Sequence, residues 1–251
     1  MSYDYGQAGT VAVGTPQANP TVEAEMRILL PPTLLAVTAR LTSRAATPEE
    51  RLRDYLLGLE RTLQTLDTLR PRAFGFACTA SAYLVAEAET RRTLSACADR
   101  FGYPVVTAAA AIEATLHDLG ARRIALVSPY PAPLREHAIA YWQGRGFAVA
   151  PVIAAGDLAP EADTRGIYAM GSADARGALA RIDPREVDAI LLSGTGLPSL
   201  PLVADWAERT PLLSSNLCLA DALARAVGQP SLLDPAAWRD RCAAAIQEAS
   251  T

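Results

Sequence analysis

"RPRAFGFACTASAYLVAE", residues 70–87, and "EVDAILLSGTGLPSLPLV", residues 186–203, are one structural device written twice. Each runs an apolar, strand-like stretch into a turn of small residues and then into a helical pattern. Cys78-Thr79 occupies the first turn and Gly194-Thr195 the second. A second pair has the same form with a proline-rich turn: "TVAVGTPQANPTVEAEM" at 10–26 and "RIALVSPYPAPLREHAI" at 123–139. Strand, turn and helix recurring in this order predict a parallel sheet, and continuous rather than alternating apolar character predicts strands buried on both faces.

Pairing these stretches divides the chain into a first lobe over about residues 1–115 and a second over about 116–227, with the last helix, 228–251, able to pack back on either half and assigned to the first. The expected fold class is α/β, as two pseudo-symmetric lobes, each a mostly parallel sheet flanked by helices. Ligands of open α/β sheets bind beyond the carboxyl ends of the strands. All four turns lie at such ends, so the active site is expected in the cleft between the lobes.

Further strands are predicted at "LLAVTAR" (34–40) and "FAVAPV" (147–152). Helices are predicted over roughly 20–30, 48–69, 82–99, 107–119, 132–145, 168–182, 198–208, 216–227 and 234–248. "TPEERLRDYLLGLERTLQTLDTL" at 47–69 carries the clearest helix signal: Thr47 as N-cap, Pro48 at the first helical position, acids in the first turn and Leu at helical spacing.

Composition narrows the function classes. Half of the 251 residues are hydrophobic, 20% are charged and the formal net charge is −4, which offers no basic face to nucleic acid. The longest apolar stretches, such as "VVTAAAAI" at 105–112, fall short of a membrane span. "MSYDYGQAGT" lacks the charged start and apolar core of a signal peptide, so a cytoplasmic location is expected. Cys78, Cys97, Cys218 and Cys242 stand far apart without a C-x-x-C pair, which reads as free thiols. His117 and His137 fall on separate helix-like segments, so no metal centre is expected. Oligomeric state has no signature in the sequence.

Cys78 precedes a helical pattern, where free N–H groups and the helix dipole lower a thiol's pKa and attract an anion. It reads as a nucleophile or a proton donor, or alternatively as a buried packing cysteine. Gly194, Thr195 and Gly196 read either as an oxyanion turn or as a plain tight turn. Asn19, before Pro20, is an N-cap or a ligand for a substrate carboxylate together with Thr21. Tyr130, between two prolines, is a phenol donor or an exposed loop residue. Cys97, Cys218 and Cys242 read as packing residues, and neither histidine neighbours a strand end.

Taken together, "ACTAS" (77–81), "LSGTG" (192–196), "GTPQANPTVEAEM" (14–26), "VSPYPAP" (127–133) and "SSNLCLADAL" (214–223) resemble the aspartate/glutamate racemase superfamily, in its branch of maleate cis-trans isomerases and arylmalonate decarboxylases. The resemblance runs from about residue 10 to 228 and implies cofactor-independent chemistry on a small dicarboxylate. Racemases and maleate isomerases of that superfamily place a cysteine in each turn; here Cys78 matches the first, and Gly194 stands where the second belongs. Two-base racemisation is thereby disfavoured. In maleate isomerases the first cysteine adds to the double bond and an asparagine of the second lobe holds the substrate. Cys78 and Asn19 fit that scheme, but "ADTRGIYAMG" at 162–171 contains no asparagine. Arylmalonate decarboxylases carry one cysteine and one glycine in the reverse arrangement, and "GIYAMGSADA" at 166–175 resembles them more closely.

The leading expectation is therefore a decarboxylase of α-substituted malonates. Cys78 protonates the enediolate from one face, defining the product enantiomer; Thr79, Ser81, Tyr130 and the Thr195-Gly196 backbone donate to its oxygens, and Asn19 holds a carboxylate. Leu84, Leu197 and Met170 are expected to shape the pocket. The alternatives are an isomerase in which Cys78 is the nucleophile, and a binding protein that retains the cleft without the chemistry.

Overall fold

The computed structural model describes residues 4–156, 158–159 and 161–249; the ends of the first-lobe and last-helix assignments, 1–3 and 250–251, lie outside them. The first half of the chain runs β1 (Gly9–Pro16), α1 (Thr21–Leu29), β2 (Leu34–Leu41), α2 (Pro48–Leu57), α3 (Leu59–Gln64), β3 (Phe74–Phe76), α4 (Thr79–Leu84), α5 (Glu87–Phe101), β4 (Val105–Thr107) and α6 (Ala108–Asp118). The second half runs β5 (Arg123–Ser128), α7 (Ala132–Gly144), β6 (Ala148–Ala154), α8 (Ser172–Leu179), β7 (Ala189–Leu192), α9 (Leu200–Ala204), β8 (Leu212–Ser214), α10 (Ser215–Ala226) and α11 (Arg239–Ala249). Two four-stranded sheets result, ordered β2-β1-β3-β4 and β6-β5-β7-β8, and every pairing is parallel. The α/β class and the doubling expected from the paired stretches are both present.

The central strands behave as their composition requires. Val11 through Pro16 of β1 are all buried, whereas β2, an edge strand, exposes Leu35, Ala36, Thr38 and Arg40. Register sets the site: Gly14 pairs with Phe76, and Val127 with Leu192. The turns that follow β1 and β3, and those that follow β5 and β7, thus leave each sheet side by side.

Several boundaries depart from the sequence pattern. The helix predicted over 48–69 is broken at Gly58, whose Cβ position already holds the Arg61 guanidinium at 2.5 Å and the Asp54 carbonyl oxygen at 2.7 Å. Its start is as expected, with the Thr47 side chain accepting from the Glu50 N–H. The helix predicted over 82–99 is two, and the first of them starts directly on Cys78. Strands β4 and β8 were not anticipated. Each is three residues long and passes straight into a helix capped by its own last residue, Thr107 or Ser214, so one apolar run conceals both elements.

The two halves interlock. Helix α10 lies against the first sheet, and Leu223 and Leu219 fill the space where a side chain on Gly75 of β3 would stand. Val11 and Val13 share one apolar core with Val127 and Ile190; Phe74 and Phe76 share another with Leu126 and Leu191. Helix α11 docks on the first half, where Arg241 donates to the Ile28 and Leu29 carbonyls at the end of α1, and also packs on α9. Among the described residues no helix is long and apolar enough to cross a membrane.

Candidate active site

Cys78 sits where the fold makes a sulfur hard to ionise. The Ala77 N–H is held by the Gly14 carbonyl, Cys78 is extended at φ −142°, and α4 begins at Thr79. The side chain is 4% exposed. Burial pushes its pKa above the ordinary 9.0, against the opposing pull of the Ser81 hydroxyl and the Ser81 and Ala80 N–H groups. The sequence left the direction open between the pull of a helix start and the protonated thiol that a proton donor needs; here desolvation outweighs the donors.

Ser81 is corrected. Its Oγ lies 2.7 Å from the Leu52 carbonyl oxygen and 3.2 Å from Cys78 Sγ, and it is fully buried behind the sulfur. One hydroxyl hydrogen serves one acceptor at a time. The Ser81 hydroxyl is in reach of both acceptors, the Leu52 carbonyl at the shorter distance, and can donate to the sulfur. Ser81 thus touches the sulfur and does not line the cavity.

Across from Cys78, Gly194 has φ +93°, and a Cβ there would stand 2.9 Å from Pro129 Cγ and 3.2 Å from Tyr130 Oη. The position has no room for a second thiol on this backbone. Several polar groups of the turn have partners in the protein. The Gly194 N–H donates to Ser215 Oγ, the Thr195 carbonyl accepts from Asn216 Nδ2, and the Gly196 carbonyl accepts from Thr21 Oγ1. Thr195 Oγ1 donates to the Ala77 carbonyl and accepts from Asn19 Nδ2. Among the described residues the Thr195 and Gly196 N–H groups keep no protein acceptor.

These turns enclose a cavity of about 30 Å³, lined by Asn19, Cys78, Thr79, Tyr130, Gly194, Thr195 and Gly196 together with Pro16, Leu52, Thr164, Ile167 and Tyr168. Of the catalytic and substrate-binding candidates from sequence, Asn19, Cys78, Thr79, Tyr130, Gly194, Thr195 and Gly196 meet there, and Ser81 and Thr21 do not line it. Asn19 caps the helix start, its Oδ1 accepting from the Thr21 N–H at 2.9 Å, and its amide donates to Thr195 Oγ1 at the cavity it lines. Tyr130 is buried, not exposed, packing edge-on to Tyr83; burial foremost holds its phenol well above 10.0, so it remains a donor. The Thr79 hydroxyl is buried without a partner, a donor waiting for an acceptor. No Lys, Arg or His lines the cavity, so anionic oxygens would meet neutral donors.

The sequence reading missed Leu52, Thr164, Ile167 and Tyr168, and placed Leu84, Leu197 and Met170 in the pocket, where they do not line it. Tyr168 was inside a quoted stretch, and its ring lies 2.7 Å from where a Gly196 Cβ would be; only the fold brings the two together. Segment 164–169 is strapped over the cavity by Arg51 of α2, 4% exposed, which donates to Asp163 at 2.7 Å. A second cavity, about 210 Å³, adjoins the first and shares Leu52 and Thr164 as its walls. His117 stacks on Phe147, and Cys97, Cys218 and Cys242 are buried and free, as expected.

The comparisons agree with this architecture. The family model for arylmalonate decarboxylase matches residues 73–236. The chain belongs to the arylmalonate decarboxylase family. Within that family it is 29% identical to the maleate isomerase of Nocardia farcinica, over 88% of this chain and 90% of that one. A structure of the Nocardia farcinica maleate cis-trans isomerase, in a variant carrying a covalently bound succinylcysteine intermediate, is 27% identical with a TM-score of 0.75, covering 88% of this chain and 94% of that one. A crystal structure of arylmalonate decarboxylase shares the fold at 20% identity and a TM-score of 0.63, covering 88% and 94%. The resemblance drawn from the turns is thus borne out for family and fold, and the likeness is greater on the isomerase side.

Proposed function

We propose that the chain is a cofactor-independent cis–trans isomerase of small unsaturated dicarboxylates of the maleate type, with Cys78 as nucleophile. This replaces decarboxylation, the leading expectation from sequence. The observation that carries it is a single sulfur facing a cavity lined by neutral donors, supported by the 29% identity to a maleate isomerase.

The reaction balances on one sulfur. As the S–C bond forms at one alkene carbon, the C=C pair moves to the other carbon and its carboxylate as an enediolate. The thiol proton passes to an enediolate oxygen, which is how a thiol kept protonated by burial still adds. The C–C bond, now single, rotates; the pair returns, the S–C bond breaks and sulfur recovers its proton. The Thr79 hydroxyl, the Tyr130 phenol and the Thr195 and Gly196 N–H groups are the donors for the charge, and each such donor typically lowers the barrier by about 3–4 kcal/mol. A second thiol at 194 has no task in this sequence of steps.

A second reading has its own support. The raised Cys78 thiol suits a proton donor to the enediolate left when a malonate loses carbon dioxide. The substituent would then occupy the adjoining cavity of about 210 Å³. Acid quenching of protein mixed with maleate, followed by peptide mass spectrometry, separates the two. The isomerase reading predicts one added maleate on the Cys78 peptide, absent from Cys78→Ser. Carbon dioxide released from arylmalonates, with no adduct from maleate, would replace it by the second reading.

A further inference from the structure

Glu25 lies in α1, 4% exposed, and does not line the cavity. Its Oε1 accepts from the Ser199 N–H at 2.5 Å and the Leu200 N–H at 3.1 Å, the start of α9 in the other half of the chain. Ser199 Oγ lies 3.1 and 3.0 Å from the two carboxyl oxygens. Burial, the largest influence, raises its pKa, while these donors and Asn216 lower it. A carboxylate that only capped α9 would need nothing more.

Its second oxygen does more. Oε2 accepts from Asn216 Nδ2 at 2.7 Å, and the same nitrogen donates to the Thr195 carbonyl at 3.0 Å. Two acceptors on one side fix which way the amide faces. The Thr195 carbonyl and the Gly196 N–H are opposite edges of one trans peptide plane. With the carbonyl held toward Asn216, which is not a cavity residue, the Gly196 N–H lies on the opposite edge of the plane, and Gly196 lines the cavity. Glycine on both sides of Thr195 leaves this plane little intrinsic resistance to rotation, so its orientation depends on what clamps it.

We infer that Glu25 is a positioning residue for the turn at 194–196: through Asn216 it holds the Thr195-Gly196 peptide with its N–H aimed at a substrate oxygen. This rests on the reading of the cavity as a site where negative charge develops on a carboxylate.

A double-mutant cycle tests it. In Glu25→Gln the amide oxygen keeps the Ser199 and Leu200 donors, and the new NH2 confronts Asn216. Asn216→Ala removes the link and leaves Glu25 on Ser199 and Leu200. Each variant is expected to lower kcat on maleate about 10²–10³-fold, the loss typical of one oxyanion donor, with KM changed far less. The combined variant is expected to be no worse than the poorer single one, because both cut the same connection. Asn216→Ala with near-native kcat, or losses that multiply, would overturn the inference and leave Glu25 as a cap for α9. Asn216→Ala decides the matter alone where Glu25→Gln does not fold. If the native chain does not turn over maleate, the isomerase reading falls separately. The inference is then decided by the Gly196 amide in 1H–15N spectra, expected to shift in both variants and overturned if it moves in neither.

Discussion

A lone sulfur has to be made reactive by its surroundings, and around Cys78 those surroundings pull in opposite directions. Burial keeps the proton on, while three donors from Ser81 and Ala80 stand ready for the anion once it forms. Gly194, facing it, is a position the backbone reserves for glycine. Gly194→Ala is expected to destabilise the protein by about 1–3 kcal/mol from the left-handed conformation alone, more with the Pro129 contact, and urea unfolding measures it. A loss below about 0.5 kcal/mol would mean that the turn relaxes freely. Cys78, Thr79 and Gly194 were legible in sequence because a strand running into a small-residue turn announces itself locally. Ser81 was misread and Tyr168 missed for one reason: which way a side chain faces after a helix start, and what a segment 90 residues away lays over it, are tertiary facts.

Among the elements, α2 and the stretch at 164–169 decide what the site admits. Leu52 belongs to the first and Thr164 to the second, and together they separate the two cavities. Leu52→Ala is expected to join them, with a stability cost of about 2–5 kcal/mol typical of such a truncation. The kcat/KM ratio of 2-methylmaleate to maleate should rise by about tenfold, the scale of one methyl group in a pocket. An unchanged ratio would show that the partition does not limit the substrate. The long strands and the capped start of α2 could be read from periodicity and from Thr47-Pro48. Strands β4 and β8 could not, since three residues do not establish a period and the helix behind each is equally apolar. The break at Gly58 is visible in sequence only as a glycine; that the Asp54 carbonyl and the Arg61 side chain fill the space of its missing Cβ is not.

At the scale of the whole molecule, the pseudo-repeat provides two facing turns and the shared cores hold them in register. Thr195 bonds the Ala77 carbonyl, Thr21 bonds the Gly196 carbonyl and Glu25 bonds the start of α9. Each bond crosses from one half of the chain to the other. The doubling was legible from the paired stretches, whereas the passage of α10 onto the first sheet was not, because its apolar face does not name its partner. One thiol and one glycine then stand at the equivalent turns, and on the proposed reading the chemistry uses one sulfur. The most direct test is to incubate the protein with maleate in D2O and follow the products by 1H NMR. Addition, rotation and elimination on the Cys78 sulfur predict fumarate whose vinyl hydrogens carry no deuterium, formed by the native protein and not by Cys78→Ser. Maleate left unchanged by active-site-intact protein, or fumarate formed equally well without the Cys78 sulfur, would contradict the account.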